Sequence, residues 1–112
     1  MDYMPWWSDK TRKFADEVET FVDAELVPLA IKLQEENKDP MSIQWKASKI
    51  CIEHGFHPLS VLTEEKYGGQ DQGYTGYTIL NEEIGRCMLN VNPLLTSVFG
   101  AGPILLYGTD AQ

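Results

Sequence analysis

Positive charge is what this chain has least of. Nine Lys and Arg stand against 17 Asp and Glu, which gives a net charge of -8 and a pI near 4.6. Such a balance repels a phosphate backbone, and no local cluster of Lys or Arg offsets it, so nucleic-acid binding is excluded as a reading. A basic amphipathic face for an anionic membrane is missing as well. Long apolar runs are absent, and none approaches the roughly 20 residues that span a bilayer. The opening stretch "MDYMPWWSDK" lacks a basic region followed by an apolar one and is poor in Arg, so it reads as neither a secretory signal nor a transit peptide. Cysteine is limited to Cys51 and Cys87, both inside helical patterns. They are read as reduced, buried thiols of a cytoplasmic protein, with an organelle matrix left open for a processed chain.

What is present is a core. Hydrophobic residues make up 43% of the 112 residues and aromatics 11%, enough for one folded domain or part of a larger protein. Apolar residues at Phe14, Val18, Phe21, Val22, Leu26, Leu29 and Leu33 form one stripe at helical spacing, behind Ser8 as N-cap. Pro28 interrupts that stripe and would lose a bond to Ala24, so a kinked or broken helix is expected. Ser42 is expected to cap a second helix that buries Ile43, Ala47, Ile50 and Cys51. Gly55 sits where a left-handed residue would end it. In "FHPLSVL" Pro58 forces His57 into an extended conformation, and only this stretch competes as a strand.

Tyr77, Leu80, Ile84, Cys87 and Met88 mark a third helix, with Glu82 and Arg86 spaced four apart for pairing. Asn92 and Pro93 then cap and open a fourth, carrying Leu94, Leu95, Val98 and Phe99. "GAGP" is expected to interrupt it. Pro103 would restart a turn with Ile104, Leu105 and Leu106, closed by Gly108. "YGTDAQ" reads as the start of a further helix capped by Thr109 or Asp110. The fold class is therefore all-α, an up-and-down bundle of four to five helices.

The densest punctuation is "EEKYGGQDQGYTGY", residues 64–77, with four glycines. A phosphate-binding loop needs two glycines five apart followed by Lys and Ser or Thr, and Gly68, Gly69, Gly73 and Gly76 do not supply that spacing. Glu64, Glu65 and Asp71 would repel a phosphate. The stretch reads as a tight corner between two helices. A zinc site at Cys51, His54 and His57 is disfavoured too, because Gly55 and Pro58 end the helix among them and no fourth ligand is near in sequence. Glu82 and Glu83 read as a solvated or salt-bridged face, and adjacent Trp6 and Trp7 as packing or interface anchors. From the residues alone, no complete active site and no metal site is found.

The order of landmarks resembles the N-terminal helical domain of the acyl-CoA dehydrogenase family. The pieces that carry the resemblance are "FVDAELVPLA", then "GFHPLSVLTEEKYGGQDQGYTGYTILNEEIGR", then "GAGPILLYGTDAQ". They span nearly the whole chain, from about Phe14 to Gln112. One departure is Thr63, where the family often has Pro. The resemblance implies a parent that is an FAD-dependent oxidoreductase, desaturating an acyl-CoA to the 2,3-enoyl-CoA. In that chemistry a carboxylate takes the α-proton and the β-hydride goes to the flavin. A middle β domain and a C-terminal helical bundle, both outside residues 1–112, would supply most flavin contacts and the catalytic glutamate. The segment alone is expected to bind no FAD and to have no activity. The resemblance further implies that this domain forms one wall of the acyl cavity. By position, Val91, Asn92, Leu95 and Phe99 are the expected substrate neighbours, with a plain core role for Leu95 and Phe99 as the alternative. For the parent it implies an electron acceptor such as electron-transfer flavoprotein, and a homo-oligomer. An acyl-CoA oxidase or flavin monooxygenase would share this domain. A standalone, non-catalytic helical interaction module, with a patch at Ile104, Leu105 and Leu106, is the alternative from another class.

Overall fold

The computed structural model describes residues 2–36, 40–87 and 96–112, with residues 40–44 described by backbone alone. Among the described residues six α-helical segments follow in chain order: α1 Asp9–Phe21, α2 Val27–Glu36, α3 Pro40–Glu53, α4 Pro58–Leu62, α5 Gly73–Arg86 and α6 Val98–Tyr107. A π-turn, Val22–Leu26, joins α1 to α2 without a break, and a 3-10 turn, Glu65–Tyr67, precedes the glycine corner. The described residues form no strand. Counting α1 and α2 as one helix leaves, among the described residues, four main helices and the short α4, an all-α fold as expected; the expected opening of the fourth helix at Asn92 and Pro93 lies outside the described residues.

Ser8 opens α1 as expected. Its hydroxyl accepts the Thr11 N–H at 3.2 Å, and Asp9 lies in the first turn where the helix dipole favours an acid. Phe14, Val18, Phe21, Val22, Leu26 and Leu33 are buried, and Leu29 packs partly against the core. The disturbance at the proline takes the form of a π-turn. Pro28 has no N–H for the Ala24 carbonyl, and the ladder has widened one residue before it, with the Val27 N–H reaching Val22 O. The extra residue absorbs the mismatch while Val22 and Leu26 stay in the core.

Helix α3 starts at Pro40, so Ser42 lies inside its first turn and is not its cap. Proline suits the first helical position, where its missing N–H costs nothing. The helix ends in a Schellman motif around Gly55, whose φ is +79°. The Gly55 N–H meets Ile52 O at 3.1 Å and the Phe56 N–H meets Cys51 O at 2.9 Å. His57 is extended, with Pro58 at the first position of α4, so "FHPLSVL" is a helical turn and not a strand. The His57 Nδ1 accepts the Ser60 N–H and caps it.

Helix α5 packs along α1 and across α4. Gly76 sits in that contact: a Cβ there would crowd Gln72 Cβ of its own helix and stand 3.3 Å from Val61 Cγ1 and 3.4 Å from Phe14 Cε1. Ile79, Leu80 and Ile84 complete the core with Ala47 and Cys51 from α3 and Val61 from α4. The "GAGP" stretch does not interrupt α6. The helix runs through Gly100, Gly102 and Pro103 to Tyr107, and the Gly108 N–H closes on Ile104 O at 2.8 Å.

Candidate functional site

The glycine corner is the first candidate. After the 3-10 turn, Gly68 takes φ +87° and reverses the chain. Gly69 then passes so close to Thr63 that a Cβ would occupy the space of the Thr63 carbonyl. The backbone N–H groups of residues 67–72 are all committed within the chain. Tyr67 and Gly69 donate to Glu64 O, and Gly68 donates to Glu65 O. Gln70, Asp71 and Gln72 donate to Ser60, Thr63 and Val61 O at 2.7, 2.9 and 2.8 Å. Those last bonds satisfy carbonyls at the open end of α4. The Gln70 side-chain amide donates to Gly55 O and to Ser60 Oγ, and the Lys10 ammonium ties Asp71 O to α1 at 3.0 Å. A phosphate cradle needs free N–H groups converging on an anion. This corner has spent them, so it is a brace.

The metal reading fails for a similar reason. Cys51 lies in the core, where burial pushes its thiol up to about 12. His54 points elsewhere: its Nδ1 donates to Ile50 O at 2.9 Å and its ring lies 5.0 Å from Phe21. His57 caps α4, and burial lowers its pKa. Among the described residues no cluster of three His, Cys, Asp or Glu is placed to hold a metal.

Of the acid pair on α5, Glu82 is exposed and Glu83 is buried at 6% exposure. Arg86 pairs with Glu83 at 2.9 Å and with Asp23 of the π-turn at 2.8 Å, so the spacing of four to Glu82 goes unused. Asp23, then Glu83, hold the guanidinium charged and push its pKa up. The two ion pairs join α5 to the π-turn.

Four residues stand as candidate substrate neighbours. Val91, Asn92 and Leu95 lie outside the described residues. Phe99 is on α6 and 78% exposed, so it takes no part in this chain's own core. With it on the uncovered side of α6 are Leu106 and Tyr107, at 64% and 87% exposure. On the other side, α6 and the corner bound a groove of about 490 Å³, with Leu59, Thr63 and Tyr67 facing Ala101, Ile104 and Leu105. The Tyr67 hydroxyl donates to Asp110 at its mouth. Next to it, the Gln112 side chain accepts the Thr109 N–H at 2.9 Å while the Gln112 N–H meets Thr109 O at 3.0 Å. That reach-back is half of a capping box, with Thr109 in the cap position.

The family described as "Acyl-CoA dehydrogenase, N-terminal domain" matches residues 8–112. The chain belongs to that family. No curated protein and no solved structure matches it. An acyl-CoA dehydrogenase N-terminal domain is all-α here, and its landmark corner is the brace that joins α4, α5 and α1. Among the described residues, no helix is long and apolar enough to cross a membrane. Neither the corner nor the groove beside α6 fits the family's flavin. The corner has no N–H left for a pyrophosphate, and the groove beside α6 carries Glu64 and Asp110 along with Lys66. Sequence reasoning missed the groove and the Asp23–Arg86 tie, because both join elements far apart in the chain.

Proposed function

We propose that this chain is the N-terminal helical domain of an FAD-dependent acyl-CoA dehydrogenase, and that it forms one wall of the acyl-binding cavity. The observation that carries the reading is the family match across residues 8–112. Helix α6 supports the wall assignment. It presents Phe99 and its neighbours as an apolar, uncharged surface, suited to an acyl chain and to little else of the substrate. The parent converts an acyl-CoA to the 2,3-enoyl-CoA. This domain shapes the cavity and excludes water from it, with Val91, Asn92, Leu95 and Phe99 along the acyl chain. Flavin contacts and the catalytic carboxylate belong to the β and C-terminal helical domains of the parent. An electron-transfer flavoprotein is the proposed acceptor, and a homo-oligomer in the cytoplasm or an organelle matrix is the proposed setting.

The test compares the parent with the 112-residue chain. The parent purifies yellow and reduces an electron acceptor when given an acyl-CoA. In the parent, Phe99→Ala shifts the preferred acyl length upward, with kcat/KM for the original substrate falling about 10-fold. The isolated chain purifies colourless. Flavin absorbance on the isolated chain, or a parent with neither flavin nor acyl-CoA-dependent reduction, overturns the proposal.

A further inference from the structure

A shallow cleft of about 700 Å³ follows α1 and the π-turn to the end of α3. Its floor is apolar, made by Phe21 and Ala24 with the His54 ring, which lies 5.0 Å from the Phe21 ring. Its rim is acidic. Asp16, Glu17 and Glu25 line it against one cation, Lys13. Lys13 reaches Glu17 at 3.9 Å with both side chains exposed, so it neutralises little. Asp16 accepts the Tyr3 hydroxyl, and Glu25 stands 3.9 Å from His54 Nε2, so neither is matched by a Lys or Arg. The π-turn contributes as well. Ala24 is exposed on it, and Pro28 offers no N–H to the Ala24 carbonyl. The cleft thus sets acceptors around an apolar, partly aromatic floor, on a chain whose net charge is -8.

We propose that this cleft docks an arginine side chain presented by a different protein. The fit is one of charge and shape. A guanidinium is flat and weakly hydrated, lays a face on an aromatic ring, and spreads five donors toward acceptors on several sides. A metal ion is the wrong occupant, because the floor is apolar and no three His, Cys, Asp or Glu converge among the described residues. A second copy of this chain cannot supply the arginine. The sequence holds two, and both are engaged: Arg12 lies over the Tyr3 ring at 5.6 Å, and Arg86 pairs with Asp23 and Glu83. The same charge of -8 that repels nucleic acid draws a basic partner and speeds its approach. Neither α6 nor the flavin chemistry of a parent enters into this contact.

A blocked tetra-arginine peptide titrated into the isotope-labelled 112-residue chain tests this, with amide shifts read residue by residue. The expected result at about 0.05 M NaCl is saturable shifts centred on Thr20, Phe21, Ala24 and His54, with a dissociation constant of about 0.1–1 mM. Glu25→Gln should weaken binding about 3-fold, the effect of one exposed ion pair. Ala24→Leu keeps every charge and fills the floor, and should weaken it about 10-fold. Both positions are exposed, and circular dichroism checks that the variants fold. Where Ala24→Leu disturbs the π-turn, Glu25→Gln and a tetra-lysine peptide decide. The lysine peptide carries the same charge without the planar fork and should bind more weakly. Shifts that never saturate or that spread evenly over the acidic surface overturn the proposal. So does binding indifferent to both substitutions, or equal binding of the lysine peptide.

Discussion

At the scale of single residues, two glycines with opposite surroundings make a controlled comparison. Gly69 lies against the Thr63 carbonyl, and that backbone atom cannot swing aside as a flexible side chain would. Gly69→Ala should cost about 2–4 kcal/mol, read as a lower urea midpoint. Gly85 sits inside α5 with nothing within 4 Å of where a Cβ would stand, so Gly85→Ala should stabilise by about 0.5–1 kcal/mol through helix propensity. Equal effects from the two would contradict the brace. His57 gives the pH response. Burial lowers its folded pKa below the ordinary 6.5, so the unfolded chain binds the proton first as pH falls. Stability should therefore drop as pH falls from 6.5 through the lowered folded value. His57→Asn keeps a cap acceptor but does not titrate, and the pH slope of its midpoint should be shallower than that of the unsubstituted chain.

At the scale of elements, Pro103 sits in the interior of α6, where it removes a bond to the Phe99 carbonyl and crowds it. Pro103→Ala should raise the stability of α6 by about 1–3 kcal/mol, seen as slower amide exchange in residues 98–107. The same proline shows where sequence reading has its limit. Proline and glycine together read as a break, yet α6 continues because its inner side is held on α4, a contact that local propensity does not contain. Elsewhere the local signals sufficed. Ser8, Gly55 and the stripe from Phe14 to Leu33 act through neighbours a few residues away, and the structure follows them. Pro28 announced a disturbance without its form, since kink, break and π-turn all answer a missing N–H. Arg86 had acids available at both three and four residues' distance. Asp23, which arrives from another element, lies beside the pairing with Glu83. For the candidate site, Phe99 was legible as an apolar residue of the last helix. Its exposure was not, because covering a helix is a property of the assembled domain.

At the scale of the whole molecule, the radius of gyration is 14.7 Å and the extents are 45 × 33 × 18 Å. A compact domain of this length would have a radius of about 13 Å. The excess comes from flatness, a slab about two helices thick with an apolar helix uncovered on one side. The slab also carries its -8 charge with little long-range compensation, since most of its cations sit in exposed pairs such as Lys13 with Glu17 and Lys49 with Glu53. Such pairs contribute little, whereas self-repulsion acts over the whole surface. The thermal midpoint should therefore rise by a few degrees between about 0.02 and 0.3 M NaCl. A falling midpoint would mean that the surface pairs outweigh the repulsion.

The glycine corner has one more consequence. Residues 64–68 are exposed at the surface and carry two glycines nearby, which ordinarily marks a place where a protease cuts. Cleavage requires a segment that can peel away and lie extended in the enzyme's cleft. Here six consecutive amides are anchored to α4 and to the turn itself, so peeling the corner means opening the end of α4 with it. Limited digestion should pass this conspicuous loop by. The stretch with the most pliable composition in the chain would then be among the last to be cut.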